Sequence, residues 1–190
     1  MAETTAPEPT RRDFLYIATG GVAAVGAALA AWPFIDQMNP SSAVLALASI
    51  EADLSAIQVG QQVVFNWRGH PLFVRRRTPQ EIAEAKAVDV ASLPDPLARN
   101  ANLPDNAPAT DADRAAKDPQ WLIVVGVCTH LGCTPTVSTP QVPQGEYGGW
   151  LCHCHGSQYD TAGRIRKGPA PQNLAVPPYT FQSPTKIKVG

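Results

Sequence analysis

Hydrophobic and polar positions are distributed very unevenly along the chain. Residues Phe14 to Ile35 form one run of 22 positions without a charge, closed on either side by Asp13 and Asp36. As a helix rising 1.5 Å per residue, such a run spans about 33 Å, enough for the hydrocarbon core of a bilayer. Tyr16 and Trp32 sit near its two ends, where interfacial aromatics collect, while Gly20, Gly21 and Gly26 leave room for a neighbouring helix. Asn39-Pro40 ends the run, and the small and polar residues from 39 to 50 read as a tether reaching roughly 33–36 Å when extended. Beyond it the pattern changes to short apolar runs between Gly and Pro signals. These predict strands over Gln62–Trp67, Pro71–Arg75, Trp121–Val127, Trp150–Cys152, Tyr179–Phe181 and Thr185–Val189, with a hairpin turn at Arg68-Gly69-His70-Pro71. Thr78-Pro79-Gln80-Glu81 combines an N-cap, a Pro at the first helical position and a Glu two residues later, and so predicts one helix.

The expected architecture is therefore mainly β. An N-terminal transmembrane helix and a flexible tether lead into an antiparallel β head with a small subdomain of its own. The divisions are 1–13 before the anchor, 14–38 for the signal-anchor helix, 39–50 for the tether and 51–190 for the head. Within the head, the Pro-, Asp- and Ala-rich stretch at about 78–120 reads as an insertion wrapped on the surface. Arg11 and Arg12 precede the anchor, and the next basic residue is Arg68. By the positive-inside rule the N-terminus stays in the cytoplasm and the head crosses the inner membrane to the periplasm. The run Thr10-Arg11-Arg12-Asp13-Phe14-Leu15 resembles a twin-arginine export signal, and no small-residue cleavage site follows it, so the anchor is expected to stay uncleaved.

Fifteen basic against 16 acidic residues give a net charge of −1 and no electrostatic reason to expect nucleic acid. The longest basic run, Arg75-Arg76-Arg77, reads as a solvated strand end, with a docking patch for an acidic partner as the sharper alternative. No Gly-rich phosphate loop and no Gly-x-Ser-x-Gly elbow is present.

The chemistry is concentrated in two boxes, Cys128-Thr-His130-Leu-Gly-Cys133 and Cys152-His153-Cys154-His155-Gly-Ser157. Together they hold all four cysteines and three of the four histidines. Two disulfides would suit an oxidising compartment but leave the histidines unexplained. A structural zinc could take two Cys and two His, although zinc fingers put like ligands in one arm. Mixed arms also suit a 2Fe–2S centre in which one iron takes two thiolates and the other two imidazoles.

These boxes resemble those of the Rieske iron–sulfur subunits of cytochrome bc complexes. The likeness extends over the anchor, the tether, the Arg75–Arg77 run and the stretch Gly163 to Pro171. It implies one Rieske-type 2Fe–2S cluster held by Cys128, His130, Cys152 and His155 in a subdomain at about 125–172, and a Cys133–Cys154 disulfide between the loops. It implies Ser157 donating to a bridging sulfide and Tyr159 to the Cys128 sulfur. Leu131, Gly132, Gly156, Gly168 and Pro169 would surround the cluster, Gly168 to Pro171 as a proline loop. One departure is His153, where the family has Pro; it is expected as an exposed loop residue. The resemblance further implies an electron-transfer subunit of a quinol–cytochrome c reductase, in a dimeric complex with cytochrome b and a c-type cytochrome. His155 would take a proton from ubiquinol as the electron leaves, and the head would swing on a hinge at Ala46, Leu47 and Ala48. The small Rieske subunit of a periplasmic oxidase, such as arsenite oxidase, is the alternative.

Overall fold

A computed structural model describes residues 10–46 and 48–190; residues 1–9 and Leu47 lie outside it. Helix α1 runs over Arg11–Asp36, slightly longer than the uncharged run, because a capping box starts it earlier. The Asp13 amide donates to Thr10 Oγ1 at 3.3 Å, and the Thr10 amide donates back to Asp13 Oδ2 at 2.8 Å. None of its residues is buried among the described residues. By length and composition α1 can cross a membrane. The expected extended tether is instead partly helical. Ser41 caps a short helix α2, Ser42–Ala46, its Oγ accepting from the Val44 amide, which shortens the reach of this stretch. Of the expected hinge, Leu47 lies outside the described residues, and the tether ends by Ile50, already the first residue of a strand.

The chain divides into two compact units, 1–45 and 46–190. In the second, β1 (Ile50–Asp53) pairs with the C-terminal strand β10 (Lys186–Val189), which pairs with β9 (Tyr179–Ser183). A second sheet joins β2 (Gln62–Trp67), β3 (His70–Arg76) and β4 (Trp121–Val125). A third orders β5 (Thr136–Val137), β6 (Gly148–Cys152), β7 (Ser157–Asp160) and β8 (Ile165–Lys167). All pairings within these three sheets are antiparallel. The β2–β3 turn has Arg68 and Gly69 both at positive φ, 52° and 77°, a two-residue turn whose twist suits a hairpin. β3 and β4 carry near-continuous buried runs because both their faces are covered, whereas β10 alternates. Phe73 on β3 stacks on Trp150 of β6 with ring centroids 6.1 Å apart, joining the second sheet to the third. Gly126 makes this contact possible, since a Cβ there would lie 2.3 Å from the Phe73 ring.

Helix α3, Pro79–Lys86, starts at the expected Thr78 capping box. The stretch after it departs from the surface insertion expected. Ala98, Ala109 and Ala115 are buried, and so is Arg114, from the one-turn helix α4 at Asp111–Arg114. Arg114 donates to the carbonyls of Ala98, Ala162, Gly163 and Leu174, and burial pushes it down to about 10. The segment is thus woven into the head by small residues and by one guanidinium that answers four backbone acceptors.

The basic run is also corrected. Arg75 and Arg77 are 2% and 1% exposed, so they are neither a solvated end nor a docking patch. α3, Asp111 and the loop before β4 cover the side of the strand end to which both point. Arg75 pairs with Glu81; Arg77 pairs with Asp111 and donates to the Pro119 carbonyl. Arg76 lies over the Trp121 ring. Removing one partner of a buried pair leaves an unanswered charge, at a cost of about 3–5 kcal/mol. Asp111→Ala should therefore lose stability by about that amount in urea unfolding, and Arg77→Met with Asp111→Leu should lose much less.

Candidate metal centre

Both boxes are loops whose ends are fixed by strands. The first follows β4 and folds back on itself, the Cys128 amide donating to the Cys133 carbonyl at 2.8 Å and the Gly132 amide to the Cys128 carbonyl at 3.0 Å. Gly132 sits at φ +85°, where a side chain would be strained. The second box is the four-residue connection between β6 and β7 with the strand residue on either side, closed by the Gly156 amide on the Cys152 carbonyl at 2.9 Å, with Gly156 at φ +78°. Cys133 and Cys154 form a disulfide between the loops, Cα atoms 6.8 Å apart. That leaves Cys128 and Cys152 as free thiols, each 2% exposed, with the Cys152 thiol hydrogen-bonded to Cys128.

On the outer side the His130 and His155 rings meet edge to face, centroids 4.6 Å apart. His130 is half-buried and His155 exposed. Leu131 beside them is 71% exposed. His153 is exposed, as its place in the loop suggested. The sulfurs of Cys133, Cys152 and Cys154 also lie within 4.8 Å of one another, but two of them are used in the disulfide and offer no thiolate.

Donors converge on Cys128. The Tyr159 hydroxyl donates to its sulfur at 3.3 Å. Burial disfavours the Cys128 thiolate, yet hydrogen bonds from Tyr159, the His130 amide, Cys152 and Ser157 outweigh it and hold the thiol below its ordinary range. Burial pushes Cys152 up, although the Cys154 and His155 amides act against it. Tyr159 is itself held well above the usual phenol range, first by burial and then by the neighbouring Cys128 sulfur, so it stays a donor. Ser157 is fully buried; its oxygen accepts the Ala170 amide at 3.2 Å, which leaves its proton for the sulfur side.

The proline loop closes the third side. Gly168 has φ +102°, and a Cβ there would come within 2.6 Å of Ser157 Cα, so only glycine lets the loop lie against the second box. Pro169 is exposed and Ala170 buried. Thr129, between two expected ligands, ties the first box to β7 and to the end of the proline loop: its hydroxyl donates to the Gln172 carbonyl at 2.7 Å, and its amide donates to the Tyr159 oxygen. Behind it, Asn173 donates to the Asp95 and Leu97 carbonyls and accepts the Ile165 amide. Thr129, Gln172, Asn173 and Asp95 were missed from the sequence; only Thr129 carried a signal, its position inside the first box.

Two buried free thiols facing each other, with two accessible imidazoles beyond them, suit a cluster with sulfur ligands on one iron and nitrogen ligands on the other better than one zinc ion. The family model described as Rieske [2Fe-2S] domain matches residues 101–179. The model described as Ubiquitinol-cytochrome C reductase Fe-S subunit TAT signal matches residues 1–41. The ubiquinol-cytochrome c reductase iron-sulfur subunit of Rhodospirillum rubrum is 54% identical over 100% of this chain and 96% of its own. That of Rickettsia conorii is 52% identical over 96% and 94%. The chain belongs to this family. A solved structure described as hyperthermophilic respiratory complex III aligns at 28% identity over 90% of this chain and 98% of that one, with a TM-score of 0.48. Family membership sets aside the oxidase-subunit and zinc alternatives, and the cofactor is a Rieske 2Fe–2S cluster.

The disulfide closes a loop with a sequence separation of 21. Chain entropy for such a loop is worth about 3 kcal/mol. Replacing Cys133 and Cys154 by serine should lower unfolding stability by about that much, and hydrogen exchange should show both box loops opening first.

Proposed function

We propose that Cys128 and Cys152 hold one iron of the cluster and His130 and His155 the other, with the chain serving as the electron-transfer subunit of a proton-translocating ubiquinol–cytochrome c reductase. The observation that carries this reading is the His130–His155 ring contact on the same two loops that bury two free thiols. When bound, the cluster supplies a one-electron acceptor at roughly −150 to +300 mV, because two neutral imidazoles replace two charged thiolates.

The chain's own groups do the rest. The free ring nitrogen of His155, exposed at the tip, accepts a hydrogen bond and then a proton from a quinol hydroxyl. Leu131 offers an apolar contact to the quinol ring or to cytochrome b. Tyr159 and Ser157 direct donors at the Cys128 sulfur, which favours the more negative, reduced site. The head then moves on the tether and delivers the electron to the c-type cytochrome of a dimeric complex. Arg11 and Arg12, the first two residues of α1, support an N-terminus in the cytoplasm and a periplasmic head.

Low-temperature electron paramagnetic resonance on membranes is the test. A Rieske signal is expected with ascorbate, reshaped by an inhibitor of the quinol site. A signal only with dithionite, or one indifferent to the inhibitor, would sink the proposal. In a redox titration, Tyr159→Phe should lower the midpoint by roughly 40–60 mV, the one-electron equivalent of a hydrogen bond of about 1 kcal/mol.

A further inference from the structure

The head holds the end of its own tether. The carbonyl oxygen of Ala48 accepts the indole N–H of Trp67 at 2.9 Å and Nε–H of Arg68 at 3.3 Å. A carbonyl has two lone pairs, and both are taken. The donors are neighbours at the β2–β3 turn, where Arg68 is held at φ 52°. The Arg68 guanidinium lies over the Trp67 ring, 4.7 Å from its centroid, so each donor supports the other. Gly190 closes a third side: a Cβ there would lie 2.2 Å from the Ala48 oxygen. Two residues on, Ile50 faces Val189 in the first rung of the β1–β10 ladder. A linker carbonyl with no task would be left to water. This one is gripped by an almost buried tryptophan, 9% exposed, whose N–H finds its partner there.

We infer that Trp67 and Arg68 are positioning residues that clamp the Ala48 carbonyl, so that for movement the head begins at Ala48. Ala48 thereby leaves the hinge, and the free tether ends before Ala48. Opening the clamp would add residues 48 and 49 to it, about 7 Å of reach. The clamp therefore fixes both the length of the tether and the angle at which the His155 tip is presented, without touching the metal centre. This rests on the proposed head movement, and the test separates the two.

In the assembled complex, Trp67→Phe keeps the ring and removes the donor, Trp67→His keeps a ring N–H, and Arg68→Ala removes the second donor. Amide exchange over residues 48–51 should quicken about fivefold in Trp67→Phe, as expected for one lost hydrogen bond. Electron delivery to the c-type cytochrome after rapid mixing should change at least twofold, with an unaltered resonance spectrum of the cluster. Trp67→His should restore both. Unchanged exchange in Trp67→Phe and in its double variant with Arg68→Ala would overturn the clamp. Faster exchange with unchanged delivery would overturn its positioning role. Should prolines at Val44 and Ala46 also leave delivery unchanged, head movement itself is refuted, and exchange alone still decides whether the clamp exists.

Discussion

The centre depends on keeping two thiols out of water while two imidazoles on the same pair of loops stay at the surface. Loops do not ordinarily hold such an arrangement, because their backbone is exposed and free to reorganise. Here the Cys133–Cys154 bridge ties the outer ends of both loops, and the strands before and after them fix the inner ends. Cys128 and Cys152 fall on the strand side of that tie and are buried, while His155 falls on the solvent side. The positions of the side chains along the tied loops set which of them face protein and which face solvent.

A second constraint lies beneath the loops. The head buries four arginines, Arg75, Arg77, Arg114 and Arg164, where a mainly apolar core would be simpler. Their partners explain the choice. Arg114 and Arg164 answer backbone carbonyls of segments that have no sheet partner, Ala109 and Ala98 in the long loop and Ala162, Gly163 and Leu174 around the end of the third sheet. Irregular backbone carries acceptors that must be satisfied when buried, and one guanidinium serves several in a fixed plane. The arginines therefore let a loop-rich head be dense enough to hold the three site loops in register.

Much of this was legible in the sequence, for reasons that differ by element. β2 and the Thr78 cap could be read because local rules, a short apolar run ended by a turn and a capping box, govern them directly. The two boxes could be read because Cys and His occur almost nowhere else. β7, Ser157–Asp160, could not: its residues are polar, and they are buried by the proline loop and by Arg164 rather than by any periodicity of their own. The basic run misled for the same reason. Charge along a strand says exposed until the covering element is known, and Glu81 and Asp111 lie 6 and 34 residues away from the arginines they neutralise. Thr129 and Gln172, 43 residues apart, likewise meet only in the fold.

The two buried thiols are not equivalent, and the difference bears on how the chain tunes the proposed centre. Tyr159, the His130 amide, Cys152 and Ser157 hold the Cys128 thiol below its ordinary range against its burial, while burial and the neighbouring Cys128 keep Cys152 up against the Cys154 and His155 amides. The donors to Cys128 come from β7 and from the loop held by Thr129 and the proline loop, so their aim depends on all three loops being closed. The donors to Cys152 belong to its own turn and would persist if that turn were intact alone. The Tyr159 hydroxyl aimed at the Cys128 sulfur is thus held by surroundings that are built from the whole subdomain. A defect in the proline loop should be felt electronically at Cys128 even though no residue of that loop is a proposed ligand.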